Sequence, residues 1–324
     1  MHLTVAYAPA SDSHRSATKM TMKKTVVIET PYGRLGNRLQ TAAYALAFSE
    51  EFNIKVRLPC LRGYDDLISE TRTNKLGKIK QRIEYKIYRL IADSKYLRKA
   101  IGCAVINSTR KSPVIFSSQR ISRLMVSSRI SIIRGYYIYT HPSILIRHAE
   151  KIRKRLAPVV EQSEFEFISD KRIKENSLIV GVHIRRGDYR KYQGGRYFFP
   201  ISMYENLAKS LTINSSESRF VFLVCSDEHI PDNAFSGLNW IRGPGTILGD
   251  LYALSLCDLV MGPVSTFNRA SAFLGGIARF EIQKPIGNLR FSDFKPIEDL
   301  TFPAELAEPL LECDARTRVR QGTR

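Results

Sequence analysis

The sequence predicts an α/β fold in which parallel strands alternate with helices and form doubly wound sheets. The second half of the chain alternates short β-branched runs with helical segments. Near the start, a strand, a glycine loop and a helix follow one another as in a βα unit. The hydrophobic content of 44% is ordinary for a globular protein, so a chain of 324 residues can fill the cores of two domains.

The first predicted βα unit begins with an apolar run at 25–29, which is typical of a strand. Gly33 and Gly36 follow and permit a tight turn, and a helix is predicted over about 38–51. Such a loop presents backbone N–H groups and a helix N-terminus to phosphate. A plain tight turn explains the glycines equally well, because their spacing matches neither the dinucleotide fingerprint nor the P-loop.

The charge of the protein is concentrated in one part of the chain. The formal net charge is +19, and residues 71–156 hold 21 lysines and arginines against 3 acidic residues. A basic block of this kind implies an anionic neighbour. The classes that fit are acidic lipid headgroups, an anionic glycan or lipid-linked substrate, and nucleic acid.

A long helix is predicted over 74–101, inside this basic block. Its apolar residues recur at helical spacing, with lysines and arginines between them. These apolar residues are Leu76, Ile79, Ile83, Ile87, Leu90, Ile91 and Leu97. Two interpretations stay open: a helix that lies on an anionic membrane surface, and a bundle helix with a solvated basic face.

The remainder of the first half is less regular. A strand-like piece occurs at 114–116, a strand is predicted over 131–139, and a basic helix over 141–156. The stretch 158–175 is polar, acidic and aperiodic, which favours an interdomain linker. The predicted divisions of the chain are a disordered extension at 1–23, an N-terminal domain with a basic helical insertion at 24–160, a linker at 161–176, a C-terminal domain at 177–312 and a tail at 313–324.

The second half alternates strands and helices cleanly, which predicts a parallel sheet. Polar residues follow the strands, and ligands of such sheets bind at the carboxyl edge. The predicted elements are strands at 178–184, 219–224, 239–242, 259–261 and 278–282, and helices at about 201–211, 248–257 and 268–274.

The most informative stretch is the end of the predicted central strand. The apolar run 178–184 passes abruptly into Arg185, Arg186 and Asp188. Placing two adjacent arginines at the end of a buried strand costs folding free energy unless an anion binds them. The planar guanidinium suits phosphate oxygens better than an ammonium does. This stretch therefore predicts a pyrophosphate site at the strand end.

The cysteine pattern favours a reducing compartment. The chain has five cysteines, an odd number at wide spacing and without a C-x-x-C pair. No apolar run reaches the length of a membrane span. We expect a cytoplasmic protein, with peripheral attachment to the inner face of the membrane as a further expectation from the basic block.

Three pieces of sequence, in this order, resemble the fucosyltransferase superfamily. They are HIRRGDY at 183–189, Asp227 after a strand, and DLYALSLCDLVMGPVSTF at 250–267. The α1,2-fucosyltransferases look most similar, since HxRRGDY is their hallmark. The resemblance covers roughly 25–282. The chain departs from that group in its N-terminal loop, which is GRLGNR rather than GGLGNQ, and in the residues that follow Phe267.

The resemblance implies a GT-B architecture, in which two Rossmann-like domains face a cleft. GDP-fucose would bind mainly to the C-terminal domain, and transfer would be inverting and independent of metal. The implied acceptor is a hydroxyl of a glycan, with an α1,2-type linkage, on a surface polysaccharide or its lipid-linked precursor. No cofactor is expected besides the donor substrate, and no D-x-D pair follows a strand to hold a metal ion.

The resemblance also assigns roles at the central strand. Arg185 contacts the β-phosphate and neutralises the charge of the leaving GDP. Arg186 either contacts the ligand or supports its loop or an acidic neighbour. Asp188 is a candidate general base, since a carboxylate can deprotonate the acceptor hydroxyl, or it pins Arg186 within the loop. His183 either holds the guanine or ribose, or is a hydrogen-bonded core histidine.

Other donor-binding residues are implied at later strand ends and on the opposite wall. Asp250 matches the position that recognises guanine in relatives, although an acidic residue there also suits a helix N-terminus. Asp227 would orient a loop or the ribose. At 265–267, the hydroxyl groups of Ser265 and Thr266 and the backbone N–H groups as far as Phe267 would bind phosphate. Across the cleft, Gly36, Asn37 and Arg38 would lie near the fucose and the pyrophosphate. Ser265 and Thr266 equally suit an ordinary helix cap.

Two rival functions remain. The first keeps the fold and changes the donor to another GDP-sugar, such as GDP-mannose. The second is a non-catalytic nucleic-acid or polyanion binder that uses the basic half. Nucleic acid is the weaker partner, because the block lacks a recognisable nucleic-acid motif and the arginine pair lies outside it.

Overall fold

The computed structural model describes residues 24–116, 119–215 and 219–296. They form two parallel β-sheets, one in each half of the chain, and a small two-stranded sheet. The predicted extension at 1–23 and the predicted tail at 313–324 lie outside the described residues.

The first half folds around a four-stranded sheet with the order β2-β1-β5-β3. All of its strand pairs are parallel. The elements are β1 (Thr25–Ile28), α1 (Leu35–Phe52), β2 (Lys55–Arg57), α2 (Lys75–Asp93), α3 (Lys95–Ile101), β3 (Cys103–Ser108), β4 (Val114–Ile115), α4 (Gln119–Ser127), β5 (Ile130–Gly135), β6 (Ile138–Tyr139), α5 (Pro142–Arg147) and α6 (Ala149–Leu156).

Helices cover both faces of this first sheet. Val26 and Ile28 of β1 point into a core shared with α1, α5 and α6. Val27, one pleat away, packs with Tyr88 and Ile91 of α2. The alternation follows from the strand period of two, and it buries β1 from both sides.

The second half folds around a five-stranded parallel sheet with the order β11-β10-β7-β8-β9. Counted from its own first strand, this is the order 3-2-1-4-5 of dinucleotide-binding folds, written in reverse. The predicted α/β class with parallel sheets is confirmed. The elements are α7 (Glu166–Glu175), β7 (Leu178–Ile184), α8 (Ile201–Ile213), β8 (Phe220–Ser226), β9 (Trp240–Arg242), α9 (Ile247–Ser255), β10 (Leu259–Pro263), α10 (Thr266–Gly275) and β11 (Ala278–Ile282).

The central strand β7 separates two layers of helices. Val180, Val182 and Ile184 pack against α8 on one face. Ile179 packs on the other face with α9 and α10. His183 lies on this second face, so the carboxyl end of β7 lies on the side of the sheet that α9 and α10 cover.

Three elements predicted as continuous are broken in the structure. The predicted helix 74–101 stops at Ser94, whose side chain caps the new helix α3. The predicted helix 141–156 is divided at His148 into α5 and α6. The predicted strand 131–139 breaks at Gly135, which has a φ of 115° that other residues avoid.

The segment 161–176, expected to be an aperiodic linker, is mostly helical. A 3-10 turn at Gln162–Phe165 leads directly into α7. Phe165 and Ile168 are buried against the C-terminal sheet. The apolar positions were too few to predict a helix, whereas burial of these two side chains stabilises one. Sequence reasoning also missed β3, which directly follows α3 through Gly102.

The two halves meet where α1 packs against α10. A Cβ atom on Gly36, in the first turn of α1, would lie 2.6 Å from the backbone nitrogen of Phe267. Because that atom belongs to the backbone, a side chain at residue 36 would push the two helices apart. The glycine that was predicted to allow a tight turn thus allows close contact between helices.

We predict that Gly36→Ala lowers the free energy of unfolding by about 1–3 kcal/mol, because the added methyl group overpacks the contact between α1 and α10. Gly287→Ala is the matched control, since nothing lies within 4 Å of a Cβ atom there. Urea denaturation followed by circular dichroism measures both variants. Equal stability of the two variants would contradict the proposed tight contact.

Candidate functional site

A cavity of about 610 Å³ lies where the carboxyl ends of the two sheets face each other. In the C-terminal sheet it opens between β7 and β10, where the strand order reverses. In the N-terminal sheet its walls follow β1 and β5, which are also neighbours. Crevices at such reversal points are the usual ligand sites of parallel sheets.

Ten of the twelve residues predicted from the sequence lie on the wall of this cavity. They come from both halves of the chain, which are far apart in sequence. The ten are Gly36, Asn37, His183, Arg185, Asp188, Asp227, Asp250, Ser265, Thr266 and Phe267.

Three helices begin at the cavity wall. The N-terminal residues of α1, α9 and α10 all line it. Thr246 caps α9 by accepting from the backbone N–H of Gly249, and Ser265 caps α10 by accepting from that of Phe267. Each helix N-terminus carries partial positive charge, so their convergence favours an anion.

Arg185 adds a full positive charge to the same region. Its Nη1 donates to Ser265 Oγ at 3.3 Å, and its guanidinium lies over the Tyr189 ring at 4.6 Å. Nε and Nη2 donate to the two carboxylate oxygens of Asp188 at 2.9 and 2.7 Å. These contacts hold the guanidinium in a fixed orientation at the cavity wall.

Asp188 orients Arg185, and not Arg186 as the sequence suggested. The hydrogen bonds from Arg185 hold the pKa of Asp188 below its usual range. A carboxylate whose pKa is lowered is a weaker base, so this geometry favours an orienting role over proton abstraction. Arg34 Nη2 lies 3.8 Å from the same carboxylate.

Arg186 does not line the cavity, and it contacts an acidic neighbour instead, as one of the alternatives from the sequence allowed. Its Nε lies 3.7 Å from Glu228 Oε2, and its guanidinium lies over the Phe198 ring at 4.8 Å. The pleat explains the difference between the twin arginines. His183 and Arg185 lie on one side of the chain, and Arg186 lies on the other.

Arg38 is the second predicted residue that does not line the cavity. Its Nε donates to the Gly33 carbonyl at 3.0 Å, and its Nη1 donates to the Arg62 carbonyl at 2.6 Å. The guanidinium also lies over the Tyr64 ring. Arg38 therefore fixes the two loops that form one wall, and it acts on the cavity through them.

Asp227 and His183 complete the floor behind Arg185. Asp227 Oδ1 accepts from the backbone N–H groups of Arg186 and Gly187, so it fixes the loop after β7 as predicted from the sequence. Burial, together with the charge of Arg185, lowers the pKa of His183 to about 3. The imidazole is therefore neutral at physiological pH, and it packs against the Phe267 ring.

Asp250 lies in the first turn of α9 and lines the cavity. Its Oδ1 accepts from the backbone N–H of Gly245 at 2.8 Å. Burial raises the pKa of this carboxyl to about 6, against the hydrogen bonds from Gly245 and Cys225 that lower it. A buried carboxylate of this kind is costly for the fold alone and suits a polar ligand.

A hydrogen-bond bridge joins the two halves at the cavity wall. Asn37 Oδ1 accepts from Thr266 Oγ1 at 2.6 Å and from Tyr136 Oη at 3.2 Å. Asn37 comes from α1, Thr266 from α10 and Tyr136 from the end of β5. The bridge positions the N-termini of α1 and α10 next to each other.

Sequence reasoning missed several residues of the cavity wall. The main ones are Arg34, Tyr136 and Arg269. Arg34 lies in the glycine loop after a predicted strand, so the strand-end rule could have found it. Tyr136 lay inside the predicted strand 131–139, and it follows a strand only because β5 ends at Gly135. Arg269 gives no such signal, because it pairs with Glu281 from within helix α10.

No group of three or more histidine, cysteine, aspartate or glutamate side chains in the described ranges has a geometry that could hold a metal ion. The expected independence from metal stays a prediction.

The comparison with solved structures finds fucosyltransferases. FUT1 from Arabidopsis thaliana, solved as an arginine-to-lysine mutant in complex with GDP, has a TM-score of 0.53 and 14% identity, over 86% of this chain and 75% of that chain. The NodZ α1,6-fucosyltransferase soaked with GDP-fucose has a TM-score of 0.48 and 13% identity, over 82% of this chain and 100% of that chain. No protein-family model and no curated protein sequence matches the chain.

The likeness to FUT1 bears on the fold alone. Together with the two parallel sheets and the cleft between them, it confirms the predicted GT-B architecture of two Rossmann-like domains.

The raised pKa of Asp250 predicts that this carboxyl lowers the free energy of unfolding at neutral pH. The carboxyl is ionised above about pH 6 in the folded protein, and its ordinary pKa is 3.8, so folding is penalised at neutral pH. We expect Asp250→Asn to raise the free energy of unfolding by about 1–3 kcal/mol at pH 7.5.

This gain should shrink as the pH falls from about 6 towards 4, because the wild-type carboxyl then becomes protonated. Urea denaturation at each pH measures it, with the exposed Asp232→Asn as the control. A stability difference that is zero or independent of pH would contradict the buried, perturbed carboxyl.

Proposed function

We propose that this protein is an inverting glycosyltransferase that moves fucose from GDP-fucose to a hydroxyl of a glycan acceptor without a metal ion. The observation that carries the proposal is the cavity between the two sheets, where Arg185 and the N-termini of three helices converge. A diphosphate that lacks a metal ion needs this kind of positive environment.

The donor would lie along the C-terminal wall. The diphosphate meets Arg185 and the N-terminus of α10 at Ser265 and Thr266. The guanine reaches Asp250, whose carboxylate accepts from the ring N1–H and the exocyclic amino group. The structure of FUT1, which was solved in complex with GDP, supports a guanine nucleotide as the ligand.

The reaction then follows from these positions. The acceptor hydroxyl oxygen attacks the anomeric carbon of fucose from the face opposite the diphosphate and releases its proton to solvent, and the bond from that carbon to the β-phosphate oxygen breaks. The departing oxygen keeps the electron pair, and Arg185 and the helix N-termini stabilise its charge. Because Asp188 holds Arg185 in place before substrate arrives, little reorganisation is needed in the transition state.

The acceptor would enter from the N-terminal wall. Tyr32 and Tyr136 stack there with ring centroids 4.6 Å apart, and Tyr64 lies on the same wall. Aromatic faces of this kind suit the apolar face of a sugar ring. The α1,2 linkage, and a surface polysaccharide or its lipid-linked precursor as acceptor, are proposed from the HxRRGDY resemblance.

The experiment that tests the proposal compares two radiolabelled donors. Purified protein is incubated with GDP-fucose or GDP-mannose, each with and without excess EDTA, and release of the labelled sugar to water or to added glycans is measured. We expect turnover of GDP-fucose at the same rate with and without EDTA, because the protein's own cations replace a metal ion.

Each contrary outcome removes a different part of the proposal. Turnover of GDP-mannose alone would replace the donor, and loss of turnover in EDTA would remove the metal-independent mechanism. Absence of turnover with both donors, together with tight and salt-sensitive binding to duplex DNA, would favour a polyanion-binding protein instead.

A further inference from the structure

Helix α2 presents an apolar stripe to solvent. Its five members are 48% to 77% exposed, although they are large aliphatic residues. At 3.6 residues per turn they fall within an arc of about 80°. The stripe consists of Leu76, Ile79, Ile83, Ile87 and Leu90.

The opposite side of α2 packs into the core of the protein. Tyr88, Ile91 and Ala92 are buried against β1 and β5, and they lie roughly 130° around the helix from the stripe. Tyr88 also donates to Glu84, which pairs with Arg57 of β2. Because this inner face fixes α2 on its sheet, the stripe cannot turn inward, and it is available to a partner.

Basic side chains border the stripe. Lys75, Arg82, Lys86 and Arg89 are exposed and lie along one side of it, and Lys80 is exposed on the other side. In the next helix, α3, Tyr96 is 89% exposed, and its neighbour in sequence, Lys95, is also exposed. An apolar stripe with cationic borders and an adjacent exposed tyrosine has the pattern of a helix that lies in the interface of an anionic bilayer.

This pattern favours one of the two interpretations that the sequence left open. A bundle helix with a solvated basic face would bury its aliphatic residues, whereas here five of the seven predicted apolar residues are exposed. Nucleic acid would match the cations but would leave the aliphatic stripe without a partner. No helix of the described segments has the length and hydrophobicity to cross a bilayer.

We propose that α2 docks this protein on anionic lipid bilayers, with the stripe inserted at the level of the headgroups and the basic border on the lipid phosphates. The helix is tied to the cavity through the loop before it. Tyr85 Oη donates to Asp65 at 3.4 Å, and Lys78 pairs with Asp66 at 2.8 Å. That loop carries Tyr64 to the cavity wall, so docking holds the cavity at a fixed distance from the bilayer.

Co-sedimentation of the full chain with vesicles tests the proposal without any substrate, and so independently of the proposed function. The probes are vesicles of phosphatidylcholine alone and of phosphatidylcholine with phosphatidylglycerol. We expect binding to the anionic vesicles at low salt, weaker binding as salt screens the charges, and little binding to the neutral vesicles.

Two double variants separate the apolar and the ionic contributions. Ile83→Gln with Ile87→Gln should lower the partition coefficient by roughly 100-fold or more. Arg82→Gln with Lys86→Gln should lower it roughly 30-fold, at about a fivefold loss for each charge. Because all four residues are exposed, circular dichroism spectra and melting temperatures should match those of the wild type.

The controls make the same substitutions away from α2. Ile213→Gln removes an isoleucine that is even more exposed, at 78%, and Lys209→Gln with Lys284→Gln removes two exposed charges. These controls should bind like the wild type. Equal losses in controls and variants, equal binding to neutral and anionic vesicles, or absence of binding at low salt would each overturn the proposal. A dimer in light scattering that Ile83→Gln with Ile87→Gln dissociates, without vesicle binding, would assign the stripe to a second copy instead.

Discussion

The ion pair between Arg185 and Asp188 is the interaction on which the site depends. It holds a guanidinium in a cleft where three helices also direct their N-termini, and so places several positive groups next to one another. Positive groups repel one another unless an anion is present. The contact at Gly36 and the bridge from Asn37 to Thr266 keep those helix ends together despite that repulsion. The tertiary contacts between the two halves therefore support an anion-binding site.

Most of the residues selected from the sequence line one cavity. A polar residue at the carboxyl end of a buried strand faces the crevice, and this rule pointed to Arg185, while the resemblance added His183, Asp227 and Ser265. The same rule cannot say which way a side chain turns once the strand has ended. Arg186 turned towards Glu228, and that pairing depends on where β8 lies beside β7.

In the basic half, the sequence predicted the charge and the helix α2, but only the structure showed which side of the helix is exposed. Its charge is plain in the composition, and α2 was expected from its apolar period. The exposed side of α2 could not be predicted, because the apolar stripe and the buried Tyr88 and Ile91 both follow a helical spacing. The break at Ser94 arises from a local cap, because its side chain accepts from the backbone N–H of Leu97. The burial of Phe165 arises from tertiary packing, which overrides weak local preferences.

The twin arginines offer the most direct measurement of the central claim, since adjacent residues of the same type face opposite ways. Calorimetric titration with GDP compares Arg185→Ala and Arg186→Ala with the wild type, after circular dichroism has confirmed that both variants fold. We expect Arg185→Ala to lower the affinity roughly tenfold or more, because it removes charged hydrogen bonds to the diphosphate, and Arg186→Ala to change it by less than about threefold. Equal losses in both variants, or a larger loss in Arg186→Ala, would contradict a diphosphate held by Arg185 in the cleft.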